Sequence, residues 1–403
     1  MSDFFQNGAI TTLHRLTGTR LAAMENELQG FSEQRPMALV LPSLFSELEG
    51  PALGPMIDEI MPVPYLTEIV IGLDRADAEQ FAYAKRFFSR LPQAHKILWN
   101  DGPKLKALDQ VLQKEGLAPK EMGKGRNVWY CYGYVLASGQ CDAVALHDCD
   151  ILTYSRELLA RLFYPVANPN FSYQFAKGYY YRVADNKING RVCRLLLTPL
   201  IRSLKLVFGP MPYLDFLDSF RYALSGEFSI RADSLKELRI PSDWGLEIGV
   251  LSEMYRNQSS HHLCQVELAD AYDHKHQKLS AEDVSAGLSK MSIDITKSIF
   301  RKLATQGVVF NKETFRSIKA TYYRAALDMV EAYYSEAVIN GLTLDRHLEE
   351  QTVELFARNI MLAGDNFLET PMETPFIPSW NRVISAIPDV LEQLYAAVEE
   401  DNR

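Results

Sequence analysis

Two hydrophobic periods share this chain. Between residues 36 and 150, short apolar runs closed by proline, glycine or asparagine alternate with longer stretches in which apolar positions recur every three or four residues. The runs Met37-Ala38-Leu39-Val40-Leu41-Pro42, Leu66-Thr67-Glu68-Ile69-Val70-Ile71-Gly72, Lys96-Ile97-Leu98-Trp99 and Asp142-Ala143-Val144-Ala145-Leu146-His147 predict strands. The spacing predicts helices over 55–60, 77–91, 104–115 and 127–138. Strands alternating with helices specify an α/β layering, a mostly parallel sheet with helices on both faces. In such sheets ligands gather at the carboxyl ends of the strands.

The flanks read differently. Leu13, Leu16, Leu21 and Met24 recur at roughly helical spacing with Gly30 near the end, so residues 1–35 are expected to form an N-terminal helical arm. The aromatic alternation from Ser172 through Tyr179-Tyr180-Tyr181 to Arg182 predicts an exposed strand in a substrate cleft. A polar stretch follows His276, and helical periodicity then dominates to the end, most clearly over 322–337 and 344–362. A proline-rich break at 370–378 precedes a last helix running to about residue 400. Three units are therefore expected: the arm 1–35, an α/β domain 36–285, and a C-terminal helical extension 286–403.

Composition narrows the partners. Apolar residues make up 47% and charged residues 23% of the 403, the balance of a globular protein. A formal net charge of −9 argues against nucleic acid or an anionic membrane surface as partner, while leaving room for a locally basic pocket. The five cysteines, Cys131, Cys141, Cys149, Cys193 and Cys264, have no paired metal-type spacing and read as reduced thiols. The first residues show no basic segment followed by an apolar core, and the run 128–137 is too short to span a bilayer. A cytoplasmic protein without membrane insertion is expected.

Candidate chemistry begins where the fourth predicted strand ends, at Asp148-Cys149-Asp150. Two carboxylates leaving a buried strand are costly without a compensating cation. Such hard oxygen pairs hold Mg²⁺ or Mn²⁺ against phosphates. Taken alone, however, an Asp-X-Asp is more often an acidic surface loop. Gly123-Lys124-Gly125 precedes a helix, where backbone amides and a lysine suit a phosphate; the same triplet also makes an ordinary flexible loop. Lys187-Ile188-Asn189-Gly190-Arg191-Val192 carries a basic residue into a helix start, suited to an anion or merely solvated. Leu224-Ser225-Gly226-Glu227-Phe228 lets backbone approach a ligand or is a plain turn. Glu247, between Gly245 and Gly249, holds sugar hydroxyls or caps a helix. Tyr272-Asp273-His274-Lys275-His276 offers an imidazole metal ligand or a solvated loop.

In this order the segments resemble the retaining glycosyltransferases that make glucosyl-3-phosphoglycerate, together with the mannosylglycerate and mannosyl-3-phosphoglycerate synthases. The resemblance runs from about residue 42 to 276 and implies a GT-A fold. Leu41-Pro42-Ser43-Leu44 is similar to the family's Pro-Ala-Leu, which touches the uridine, so Pro42, Ser43 and Leu44 are implied donor contacts, with the displaced Glu47 near the uracil. Lys124 matches the Gly-Lys-Gly lysine that meets the donor nucleotide, and Asp148-Cys149-Asp150 resembles the Asp-Ser-Asp that binds metal and donor. Gly190 and Arg191 fall in the segment that resembles Gly-Gly-Arg-Val, which grips the phosphoglycerate. Leu224, Ser225 and Gly226 resemble the Leu-Ser-Gly beside the reacting carbon. Glu247 resembles the glutamate that holds the sugar, and His274, with His276 as its alternative, the metal-binding histidine. Two departures touch the substrates: Cys193 stands for a threonine two residues after the acceptor arginine, and Gly72-Leu73-Asp74-Arg75 for Asp-Ser-Gly-Ser.

The resemblance implies a metal-dependent retaining transfer of glucose from UDP-glucose to 3-phosphoglycerate. Asp150 and His274 would hold Mg²⁺ or Mn²⁺, with Asp148 near the ribose or a metal-bound water. Glu247 and the backbone at Leu224 would orient the glucose. No protein nucleophile or base is implied, since the departing phosphate takes the acceptor's proton. Alternatives are a GDP-mannose donor, glycerate as acceptor, or a non-enzymatic nucleotide-sugar-binding scaffold. A homodimer is expected by resemblance.

Overall fold

The structure, a computed structural model, describes residues 6, 8–18, 20–119, 122–274, 287–371 and 376–403. His276 and the polar stretch that follows it lie outside the described residues. The strands are β1 (Thr11–Leu13), β2 (Met37–Leu44), β3 (Leu66–Asp74), β4 (His95–Trp99), β5 (Ala143–Leu146), β6 (Phe175–Tyr180), β7 (Val183–Ala184), β8 (Lys187–Ile188), β9 (Phe228–Arg231) and β10 (Leu263–Ala269). Eight of them form one sheet in the order β1-β10-β6-β9-β5-β2-β3-β4, and β7 and β8 form a separate hairpin. Within the sheet β9 alone runs antiparallel to its neighbours β5 and β6.

Period-two alternation explains the layering. On β2, Ala38 and Val40 point into one core beside Val70 of β3, Leu98 of β4 and the helix Lys124–Ser138. Leu39 and Leu41 point into the other, beside Ile69, Ile71 and the helices Leu53–Ile60 and Arg156–Ala167. Both faces are covered, so the central strands read as continuous apolar runs.

Two expectations are corrected. Residues 11–13 do not belong to a helical arm: β1 pairs in parallel with β10, and the helix begins only at Leu21–Ser32. The aromatic strand is not exposed: all six residues of β6 are buried, because it lies between β10 and β9 in the middle of the sheet.

The C-terminal helices share the first core. Trp380 stacks on Trp129 with ring centroids 4.1 Å apart. The last helix, Val390–Asn402, packs beside β4, where Asn402 accepts from the Ile97 amide and donates to its carbonyl at 3.0 and 2.9 Å. An edge strand that would otherwise offer bare backbone groups is thereby covered.

Candidate active site

The carboxyl ends of β2, β3 and β5 open on one side of the sheet, and the loop after β5 delivers Asp148-Cys149-Asp150 there. The helix Lys124–Ser138 starts opposite, so Lys124 reaches Asp148 Oδ1 at 2.7 Å and Glu247 Oε1 at 3.3 Å. Glu247 lies in the first turn of the helix Leu246–Asn257, where the amino-terminal amides favour a carboxylate. A Cβ at Gly226 would overlap the Asp148 carboxylate, so only glycine lets the two chains approach there.

His274 reaches this group by backbone pairing. An isolated bridge joins it to Ile151, and Leu152 donates to the Asp273 carbonyl at 2.9 Å. Its Nδ1 then stands 3.9 Å from Asp150 Oδ2, and its Nε2 lies 2.5 Å from Arg182 Nη1. Since a guanidinium only donates, Nε2 accepts and the proton of the neutral ring sits on Nδ1. Ligation of a cation through either nitrogen therefore requires the Arg182 contact to shift.

Beside Leu224, Ser225 is buried, with Oγ donating to the Gly178 carbonyl at 2.6 Å. Lys177, fully buried on β6, donates to the Ser225 carbonyl at 2.6 Å. Glu227 accepts from Tyr180 and Tyr272 hydroxyls at 2.6 and 2.7 Å, and those two rings stack at 3.6 Å. Backbone amides of Leu224 and Ala223 meet the Cys193 thiol, which burial nevertheless pushes up to about 11. That contact sets the segment after Arg191 against the Leu224 backbone. Gly190, at φ +77°, supplies the left-handed turn before Arg191.

Electrostatics separate the carboxylates. Burial lowers the pKa of the Lys124 ammonium, but Asp148 and Glu247 outweigh it and keep this lysine charged well above its ordinary range. Burial pushes Asp148 up, and Lys124 more than reverses it. Asp150 is pushed up to about 7, by burial first and then by the Asp148 charge. Glu227 is raised by the same two causes, against the two tyrosine hydrogen bonds. Burial lowers Lys177 to about 8. Four carboxylates thus face two ammonium groups, and Asp150 and Glu227 are left under-compensated, Glu227 with two tyrosine hydroxyls to offset it.

This donor set fits a divalent cation. Among the described residues no three His, Cys, Asp or Glu side chains converge into a finished metal cage. Asp148 is drawn to Lys124, and Asp150 with His274 forms a two-sided seat of hard oxygen and imidazole nitrogen. Open positions of that kind suit Mg²⁺ or Mn²⁺ completed by phosphate oxygens.

At the same end of the sheet, β2 ends at Pro42-Ser43-Leu44, the expected donor contacts, in register with Gly72-Leu73-Asp74 of β3. The Ser43 hydroxyl hydrogen-bonds the buried Cys149 thiol, and Glu47 lies close enough to raise Asp150. Asp74, 6% exposed, accepts from Asn100 Nδ2 at 2.7 Å. Burial pushes its carboxyl up from 3.8 to about 6. The native state therefore holds a proton that the unfolded chain has lost, and stability falls as pH rises through that window and stays lower above it. Asp74→Asn is expected to be more stable than the parent at pH 8, by on the order of 2 kcal/mol, and equal to it near pH 4. Thermal melts at both values check this; a lower melting point for the variant at pH 8 overturns it.

The acceptor-side expectation, Arg191, is 31% exposed, and its Nε donates to Glu349 Oε1 at 2.7 Å. Sequence reasoning missed Lys177, Arg182 and Glu349. A lysine inside a buried aromatic strand is a readable signal for the first; a carboxylate 158 residues from its arginine leaves none.

The chain is 46% identical, over all of its length and 99% of the relative, to a glucosyl-3-phosphoglycerate synthase of Persephonella marina. A second glucosyl-3-phosphoglycerate synthase, of Methanococcoides burtonii, is 36% identical over 99% of this chain and 98% of the relative. No family model matches. Among solved structures, the glucosyl-3-phosphoglycerate synthase of Mycobacterium tuberculosis with Mn²⁺, UDP and glucosyl-3-phosphoglycerate superposes with a TM-score of 0.52 at 20% identity, covering 73% of this chain and 87% of that one. The mannosyl-3-phosphoglycerate synthase of Rubrobacter xylanophilus superposes at 0.54 and 20% identity, covering 74% and 83%.

Proposed function

The chain belongs to the glucosyl-3-phosphoglycerate synthase family of GT-A glycosyltransferases, and from that premise we propose that it transfers glucose from UDP-glucose to 3-phosphoglycerate with retention at the anomeric carbon. The observation that carries the site assignment is the seat formed by Asp150 and His274, 3.9 Å apart, beside Lys124. Mg²⁺ or Mn²⁺ bound between them supplies positive charge to the diphosphate leaving group.

The chain's own residues do the rest. Lys124 stands ready to exchange part of its contact with Asp148 for a donor phosphate oxygen, which places an ammonium where charge builds as the glycosidic bond breaks. Asp148, freed by that exchange, turns to the ribose or to a water at the cation. Pro42, Ser43, Leu44 and Glu47 border the uridine, and Cys149 packs beneath it. Glu247 accepts from glucose hydroxyls and, with the Leu224 carbonyl, orients the anomeric carbon. Lys177 holds that backbone by fixing the Ser225 carbonyl. Gly190, Arg191, Ser225 and Gly226 receive the acceptor, Arg191 meeting its anionic end as a planar fork. The acceptor hydroxyl passes its proton to the departing phosphate on the same face, so no protein base is required.

A panel of UDP-glucose, GDP-glucose and GDP-mannose crossed with 3-phosphoglycerate and glycerate, read by mass spectrometry and anomeric NMR, tests the assignment. UDP-glucose with 3-phosphoglycerate is expected to give the α-linked glucosyl product; exclusive use of GDP-mannose or of glycerate overturns it. Family membership displaces the scaffold reading. No described helix is long and apolar enough to cross a membrane, and the five cysteines are buried and unbridged. The unbridged thiols support the reading of a cytoplasmic protein, and a homodimer is proposed from the family resemblance alone; light scattering that gives the mass of one chain, 45.8 kDa, overturns the dimer.

A further inference from the structure

Among the described residues, the Arg191 side chain is held by Glu349 of the C-terminal helices. The hairpin that precedes Arg191 turns through Asp185 and Asn186, both at positive φ, as a two-residue turn of this kind requires. The turn between the helices Lys312–Ile339 and Arg346–Glu369 then grips it. The Thr343 amide and hydroxyl donate to the Asn186 carbonyl at 2.8 and 3.0 Å, and Lys187 bridges to Thr343. One turn further along, Glu349 projects a carboxylate that is only 2% exposed between two arginines. Its Oε1 takes Arg191 Nε at 2.7 Å, and its Oε2 lies 2.8 Å from Arg194 Nη1. Arg194 has fixed positions of its own: Nε donates to the Asn189 carbonyl at 2.8 Å, and the guanidinium lies over the Tyr333 ring at 4.7 Å.

We infer that Glu349, in the C-terminal extension, is a positioning residue for acceptor binding: it holds the Arg191 guanidinium by its Nε edge so that the Nη edge faces the incoming anion. This rests on the reading of Arg191 as the acceptor's ligand. Arg191 is bound on one edge, and its two Nη groups have no partner among the described residues. A long side chain that must find its rotamer on binding loses affinity to that ordering, and a partner that orders it beforehand removes the loss. The same carboxylate keeps Arg191 and Arg194 from repelling each other, leaving one net positive charge in a pocket that receives a carboxylate and a phosphate. The extension is thereby part of the acceptor site, through a residue that touches no substrate.

Steady-state kinetics of Glu349→Gln, Arg191→Ala and the double variant test this on the full chain with Mn²⁺. Glu349→Gln is expected to raise KM for 3-phosphoglycerate roughly five- to twentyfold and leave KM for UDP-glucose within about twofold. In the double variant, Glu349→Gln should add little to the effect of Arg191→Ala, because the carboxylate acts through that arginine. An unchanged acceptor KM in Glu349→Gln, with a raised one in Arg191→Ala, overturns the inference and leaves the proposed function standing. An unchanged acceptor KM in Arg191→Ala removes the reading of Arg191 as the acceptor's ligand, and the inference with it, while glucose transfer to 3-phosphoglycerate stands. If Glu349→Gln does not fold, Glu349→Asp serves. It keeps the charge beside Arg194 but withdraws it by one methylene, and a smaller rise confined to the acceptor KM is expected. No such rise overturns the inference.

Discussion

Asp150→Ala is expected to lower glucose transfer roughly a thousandfold while leaving the protein folded. Asp150 is the carboxylate that burial and Asp148 push up to about 7, so it sits at a cost when no cation faces it. Its removal subtracts one negative charge from a group that also contains Asp148, Glu47 and Glu227. The ligand-free variant should therefore melt at the parent's temperature or above it, whereas loss of a residue that merely supports the fold would lower it. The discriminating measurements are the transfer rate with Mn²⁺ and the shift in melting temperature that Mn²⁺ plus UDP produces, which the variant should lack. Full activity of Asp150→Ala in chelator-treated buffer would sink the metal assignment.

Lys124→Ala should cost transfer about a hundredfold or more, through both donor affinity and turnover. Here the fold also suffers. Lys124 is what brings Asp148 below its ordinary range against the pull of burial, and without it Asp148, Asp150, Glu227 and Glu247 face a single ammonium, that of Lys177. Removing one partner of this half-buried charge pair leaves the other poorly compensated, a loss on the order of 1–2 kcal/mol once solvent screening is allowed for. Protonation of the orphaned carboxylates relieves part of that loss, so the variant should be least stable at alkaline pH and recover as pH falls toward 6. Added Mn²⁺, which replaces the missing charge, should raise its melting temperature more than the parent's. A variant that keeps the parent's donor KM, or whose stability is independent of pH and Mn²⁺, contradicts the role given to Lys124.

The placement of the candidate site's residues was legible because they sit in short segments at the ends of regular elements; their roles came only from the family resemblance. Asp148 and Asp150 close a four-residue apolar strand, Lys124 opens a helix, Glu247 lies in a helix's first turn, and each position follows from local period and punctuation. The misreadings came where tertiary context overrides local pattern. β6 alternates like a half-exposed strand, yet it lies between β10 and β9 with all six residues buried, and Lys177 on it serves the Ser225 carbonyl rather than solvent. Residues 11–13 carry helical spacing but complete the sheet edge beside β10, because three backbone pairings there outweigh a weak periodicity.

Sequence alone determined the α/β layering, the run of the parallel strands and the order of the chemistry-bearing segments, since these follow from hydrophobic period and turn residues within about ten positions. Tertiary structure alone decided which distant groups meet. His274 stands beside Asp150 only because residue 274 pairs with Ile151, and Glu349 holds Arg191 only because a helical turn at Thr343 clasps the hairpin before it. Electrostatic energy depends on separations of a few ångströms. No spacing along the chain encodes such distances until the core is packed.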